Sequence, residues 1–131
     1  MSIGVVLDTS ALLAHLRLER VSVGELIGEV GENGDLVGVP ALAIADSLHK
    51  LGGEELFRLQ RMLAWDDSGI AVLPFGGADV MSLYAAMGVV GGGQGTAQAV
   101  VEAGRHGCLL ATVQPEDVGS GLDADDVIVL S

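Results

Sequence analysis

Short runs of aliphatic side chains alternate along this chain with longer stretches in which apolar residues recur every three or four positions. Uninterrupted runs suit strands buried on both faces, and the wider spacing suits helices with one buried face. The runs at 3–7, 36–39, 70–73, 108–112 and 126–130 predict five strands. Helical spacing predicts helices over 11–18, 23–30, 40–51, 54–65, 78–87 and 96–106. Punctuation agrees with these limits. Ser22 is a candidate cap, Gly31, Asn33 and Gly34 close the second helix, and Pro40 opens the third. Gly52 and Gly53 end that helix, and Gly107 ends the last. Glu54 and Arg58 stand four apart as a helical ion pair. Strands alternating with helices predict an α/β fold, with a central, mainly parallel sheet of four or five strands and helices on both faces. The whole of 1–131 reads as one domain, with no internal repeat.

Composition sharpens this picture. Half of the residues are hydrophobic, but there are only one Trp, one Tyr and two Phe, so the core must be aliphatic. Eighteen acids stand against six bases, a net charge of −12 that repels phosphate backbones at long range. Beyond Arg105 there is no Lys or Arg, while Glu116, Asp117, Asp123, Asp125 and Asp126 lie there. A single cysteine, Cys108, forms no internal disulfide and reads as buried filler. No apolar run reaches the roughly eighteen residues of a membrane span, and no basic stretch precedes the first apolar run, so a cytoplasmic protein is expected. His15, His49 and His106 fall near helix ends, where positive charge suits the dipole, and Trp65 reads as a helix-end packing residue.

Candidate chemistry begins at Asp8-Thr9-Ser10, directly after the first strand. Open α/β sheets bind ligands at the carboxyl ends of strands, so a carboxylate there is placed for a metal or substrate. The same Asp, ahead of Ala-Leu-Leu, also suits a helix N-cap. The glycine-rich stretch at 88–96 (GVVGGGQGT) follows a helix rather than a strand and carries no Lys, so it does not match a phosphate loop. It reads as a flexible connection.

VVLDTSALLA at 5–14, VPALAIAD at 39–46, AQAV at 97–100 and LLAT at 109–112 together resemble the PIN domain, in its branch of small bacterial toxins of the VapC type. The resemblance runs through essentially the whole chain, in order. It implies a three-layer sandwich whose acids, drawn from four places, hold Mg²⁺ or Mn²⁺ and cleave RNA. Hard divalent cations take carboxylate oxygens and can activate a bound water. By this resemblance the first acid is Asp8 and the second, commonly Glu, is Asp46, one methylene shorter. The third and fourth positions fall on Gly95 and Gln114, and Gln98 stands where His is common. Thr9, Ser10 and Thr112 are candidate supports for Asp8, and Glu116 is a candidate replacement ligand. Acids restored at 95 and 114 would complete a four-carboxylate pocket.

Two of four acids being absent, the resemblance implies a PIN-like protein with a degenerate metal site, weak or absent Mg²⁺ or Mn²⁺ binding, and a binding or regulatory role. Two alternatives stand beside it. One is an active metal-dependent, single-strand ribonuclease of a toxin–antitoxin system, using Asp8, Asp46 and Glu116 or Asp117. The other is a non-enzymatic module that binds a small antitoxin-like protein. A homodimer is expected from the family and from the apolar content of 11–13 and 23–27.

Overall fold

Five parallel strands carry the fold in a computed structural model that describes residues 2–131. In chain order the elements are β1 (Ile3–Leu7), α1 (Thr9–Leu16), α2 (Val21–Glu32), β2 (Leu36–Pro40), α3 (Ala41–Leu48) and α4 (Gly53–Ala64). There follow β3 (Ile70–Leu73), α5 (Val80–Met87), α6 (Gln94–His106), β4 (Leu109–Thr112), α7 (Pro115–Val118) and β5 (Val127–Val129). The strands lie in the order β3-β2-β1-β4-β5, and every pairing is parallel, so the sheet is wholly rather than mainly so.

Alternation along the central strands divides the core between two faces. Val5 and Leu7 of β1, with Val37, Val39 and Ala111, join Leu12, Leu16, Val23 and Leu59 from α1, α2 and α4. Val6 and Leu110 point the other way, onto Ala99, Val100 and Ala103 of α6. This is the expected three-layer sandwich of helices on both sides of one sheet. Among the described residues, no helix is long and apolar enough to cross a membrane.

Several local expectations change. Asp8 caps α1 as expected, but the helix runs over Thr9–Leu16 rather than 11–18, and Leu18 beyond it has a positive φ. Ser22 lies inside α2 and donates to the carbonyl of Ser131 instead of capping. Trp65 does end α4, but it is 61% exposed and packs little. The glycine stretch is not a loose connection. The N–H groups of Gly91 and Gly92 both donate to the carbonyl of Asp117, and that of Ser120 donates to Val89. Finally, Ala11, Leu12, Leu13 and Val23 are buried in this chain's own core. They supply no surplus apolar surface for a dimer.

Candidate functional site

The strand order reverses at β1: the chain runs outward through β2 and β3, then returns to place β4 on the other side of β1. Helices leaving adjacent strands in opposite directions open a crevice at their carboxyl ends. Asp8 follows β1 there and Thr112 ends β4.

Asp8 is fully buried. Its Oδ1 accepts from the Ala11 N–H at 2.9 Å and from the Ser10 hydroxyl at 2.6 Å, the geometry of an N-cap. Ser10 Oγ also lies 3.0 Å from Thr112 Oγ1 and accepts from the Val113 N–H. Thr112 Oγ1 accepts from the Gln114 N–H. Thr9, Ser10 and Thr112 thus gather at Asp8, and Ser10 and Thr112 stitch α1 to the end of β4. Asp8 Oδ2 and Thr9 Oγ1 are buried without a hydrogen-bond partner.

Asp46, on α3, accepts from the Gly95 N–H through Oδ2 at 2.8 Å. The first N–H groups of a helix lack partners within it, and Gly93 at the α6 cap has no side chain to offer, so Asp46 supplies the acceptor from a neighbouring helix. The shorter Asp is therefore long enough for a structural bond. Gln98 is buried between three elements. Its Oε1 accepts from the Leu42 N–H, and its Nε2 donates to the carbonyls of Leu73 and Pro74. In front of these residues lies a cleft of about 470 Å³. Thr9, Ser10, Asp46, Thr96, Gln114 and Asp117 line it, together with His49, Lys50 and Met87.

Asp46 and Gln114 thus share one depression, and Asp8 lies behind it. The other acid positions resolve differently. Gly95 is buried within α6 rather than lining the cleft, and the residue beside it, Thr96, faces the opening. A Cβ on Gly95 would collide with Thr9 Oγ1 and lie 2.6 Å from Ala43 Cα, so no acid can be restored there without moving α3. Glu116 is exposed and lines a separate hollow with Arg17, Glu19 and Arg20; its neighbour Asp117 enters the cleft instead. The sequence carried a sign of this, since Pro115 followed by two acids is a helix start. Nothing in it marked Lys50 or Thr96 as facing the same opening.

Each acid has one oxygen engaged, Asp8 Oδ1 by its cap and Asp46 Oδ2 by Gly95, while Asp8 Oδ2 has no hydrogen-bond partner; octahedral Mg²⁺ would need several such oxygens. Among the described residues, no three His, Cys, Asp or Glu side chains gather as a metal-holding group.

Burial pushes the Asp8 carboxyl above the ordinary carboxylate range, against the opposing pull of the Ser10 and Thr112 hydroxyls and the Ala11 N–H. Asp117 beside it raises it further. A folded pKa above the unfolded value means that the native state holds the proton longer. Stability then falls as pH rises from about 3.9, the unfolded value, through the folded pKa. Asp8→Asn keeps an acceptor for Ala11 and removes the titration. Urea unfolding across the acid range should show a flatter pH dependence for the variant, and parallel profiles would refute the assignment.

No protein-family model matches this chain, and no curated protein matches it in sequence.

Proposed function

We propose that this chain is a PIN-like domain in which metal-dependent cleavage has given way to binding, with the cleft at the β1–β4 crossover taking a polar segment of a protein partner. The observation that carries the reading is how the acid positions are used. Asp8 is a buried cap with a raised pKa, Asp46 caps α6, Gly95 has no room for a side chain, and Gln114 is an amide. The series of motifs and the sheet order support the PIN-like assignment. Fold alone does not confer chemistry, so the donor set decides.

The cleft chemistry favours a peptide over RNA. Lys50 is the one Lys or Arg at its wall, which Asp46 and Asp117 also line, and a net charge of −12 repels a polyanion. A peptide with donors and acceptors of both signs meets hydroxyls, amides and opposed charges there.

The test incubates the full chain and its Asp8→Ala variant with single-stranded RNA and Mn²⁺, and follows melting with and without the ion. Neither protein should cleave, and Mn²⁺ at about millimolar concentration should leave the melting temperature of the wild type unchanged, since a ligand raises stability appreciably only when its concentration approaches Kd. Asp8-dependent cleavage would establish the ribonuclease alternative instead.

A further inference from the structure

Strand β5 closes one edge of the sheet, with β4 as its one neighbour. In a parallel pair a residue turns both its N–H and its carbonyl to one side, and the next residue turns both the other way. The Leu130 N–H donates to the Thr112 carbonyl, so Ile128 and Leu130 face β4 while Val127 and Val129 face outward. The Val127 N–H is taken by the carbonyl of Ala124. That leaves the Val127 carbonyl and both backbone groups of Val129 turned away from every other described strand. Val129 is also 57% exposed. Strand edges are commonly blunted by a charge, a Pro or a bulge. The run Val-Ile-Val-Leu at 127–130 carries none of these.

A groove of about 200 Å³ adjoins this edge, lined by Val127 and Val129 together with Pro115, Val118, Leu122 and Ala124. Side chains alternate along a strand, so the two valines share a face, and every second side chain of a strand added at the edge lies over that same face. Unpaired main-chain groups beside an apolar groove are the two requirements of peptide recognition by strand addition. Backbone bonds supply the affinity, and pockets for alternate side chains supply the choice.

Charge identifies the occupant. Asp123, Asp125 and Asp126 are exposed immediately before β5, and beyond Arg105 the chain has no Lys or Arg. Among the described residues these three acids make no ion pair. A second copy would bring the same acids and no base to the joint, and like charges across an interface are costly. A segment that carries Lys or Arg at the end of an apolar run would instead meet carboxylates with no partner of their own.

We infer that β5 accepts an extended, basic segment of a partner protein as an added strand, bonded to the backbone of Val127 and Val129. Alternate apolar side chains of that segment fill the groove, and its Lys or Arg lies beside Asp123, Asp125 and Asp126. The groove shares no lining residue with the cleft at the β1–β4 crossover, so strand addition is independent of what the cleft binds.

The test titrates the full, isotope-labelled chain with a synthetic peptide of alternating Val and Thr that carries paired Lys at each end, and reads amide exchange residue by residue by NMR. At a peptide concentration about ten times Kd, exchange of the Val129 amide should slow by about tenfold, because only the unoccupied edge exchanges. The amide of Val72, on the opposite edge strand β3, should not change. Glu in place of the peptide's Lys should weaken binding by about tenfold at low salt, and Asp125→Lys with Asp126→Lys should reverse that preference. Val129→Pro removes an N–H that bonds nothing in the fold, and Pro is tolerated at edge positions of this kind. That variant should keep its cooperative melt and lose the peptide. The exchange measurement uses the unaltered chain and so decides the matter even where Val129→Pro fails to fold. Absence of binding at about millimolar Lys peptide would overturn the proposal. So would protection at Val72 or in the cleft instead of at Val129, equal affinity for the Lys and Glu peptides, or undiminished binding by a folded Val129→Pro chain. Val129 protection that grows with protein concentration in the absence of peptide would overturn it too, by giving the edge to a second copy.

Discussion

Gly95→Ala should cost about 3 kcal/mol, at the upper end of what overpacking a filled core exacts. The added methyl would strike the Thr9 hydroxyl and sit 2.6 Å from Ala43 Cα and 2.9 Å from Ala43 N. Two of those three atoms are backbone, which cannot swing aside, so α6 must lift from α3 or α3 must shift along β2. The N–H of Gly95 also holds Asp46, and that bond would lengthen with any such movement. For a domain of this size, the loss corresponds to a fall of roughly 10 °C in melting temperature. Gly104, in the same helix, provides the contrast, because a Cβ there meets nothing within 4 Å. Gly104→Ala removes only the flexibility of glycine in the unfolded chain and should stabilise by about 0.5–1 kcal/mol. Equal and small effects at both sites in thermal melts would show that Gly95 is not closely packed.

Gln98→Leu should be comparably severe, at about 2–4 kcal/mol. It preserves volume but leaves the Leu42 N–H and the Leu73 and Pro74 carbonyls without the side chain that joins them. Buried groups stranded in this way cost about 1–3 kcal/mol each, less where water reaches them. Gln98→Glu separates the roles of the two ends of the amide. Its carboxylate still accepts from Leu42, but it presents negative charge to two carbonyl oxygens. That variant should be destabilised at neutral pH and recover on acidification, since the protonated acid regains a donor and its folded pKa lies above the unfolded one. Urea unfolding at pH 7 and pH 5 reads both effects. A Gln98→Leu protein within about 1 kcal/mol of the wild type would remove the clamp from this account, since three lost bonds predict more.

These two positions show where reading the sequence stopped short. Gly95 looked like a vacancy left by a missing acid, and Gln98 like a substitute for a histidine. Both are structural parts of the junction between α6, α3 and the end of β3. Neighbours of Gly95 come from Thr9 and Ala43, and partners of Gln98 come from residues 42, 73 and 74, all distant in the chain. Periodicity along a chain says which face a residue occupies, and it carries no information about how closely another helix approaches that face. Asp8 was legible as an N-cap because that reading depended on local context. The N-cap is seen directly in its bonds to Ala11 and Ser10, and the sheet then buried the carboxylate beyond exposure.

What the sequence by itself determined is the succession of elements and their class. Aliphatic runs long enough for only a short strand, separated by helical spacing and closed by Pro40, Gly52 and Gly107, leave little choice but parallel strands joined by helices. Those signals are local, and local hydrogen bonding and burial enforce them. The tertiary structure alone decided the strand order, and therefore which ends meet at the cleft. It brought Thr96 and Lys50 to the opening, and of the two candidate acids Glu116 and Asp117 it placed Asp117 there. It absorbed the apolar residues of α1 into the core while leaving those of α5 outside. Helix α5 is the more apolar of the two, yet it is the one left outside; whether apolar residues are buried depends on what the rest of the chain has already covered, and that is a property of the assembled fold.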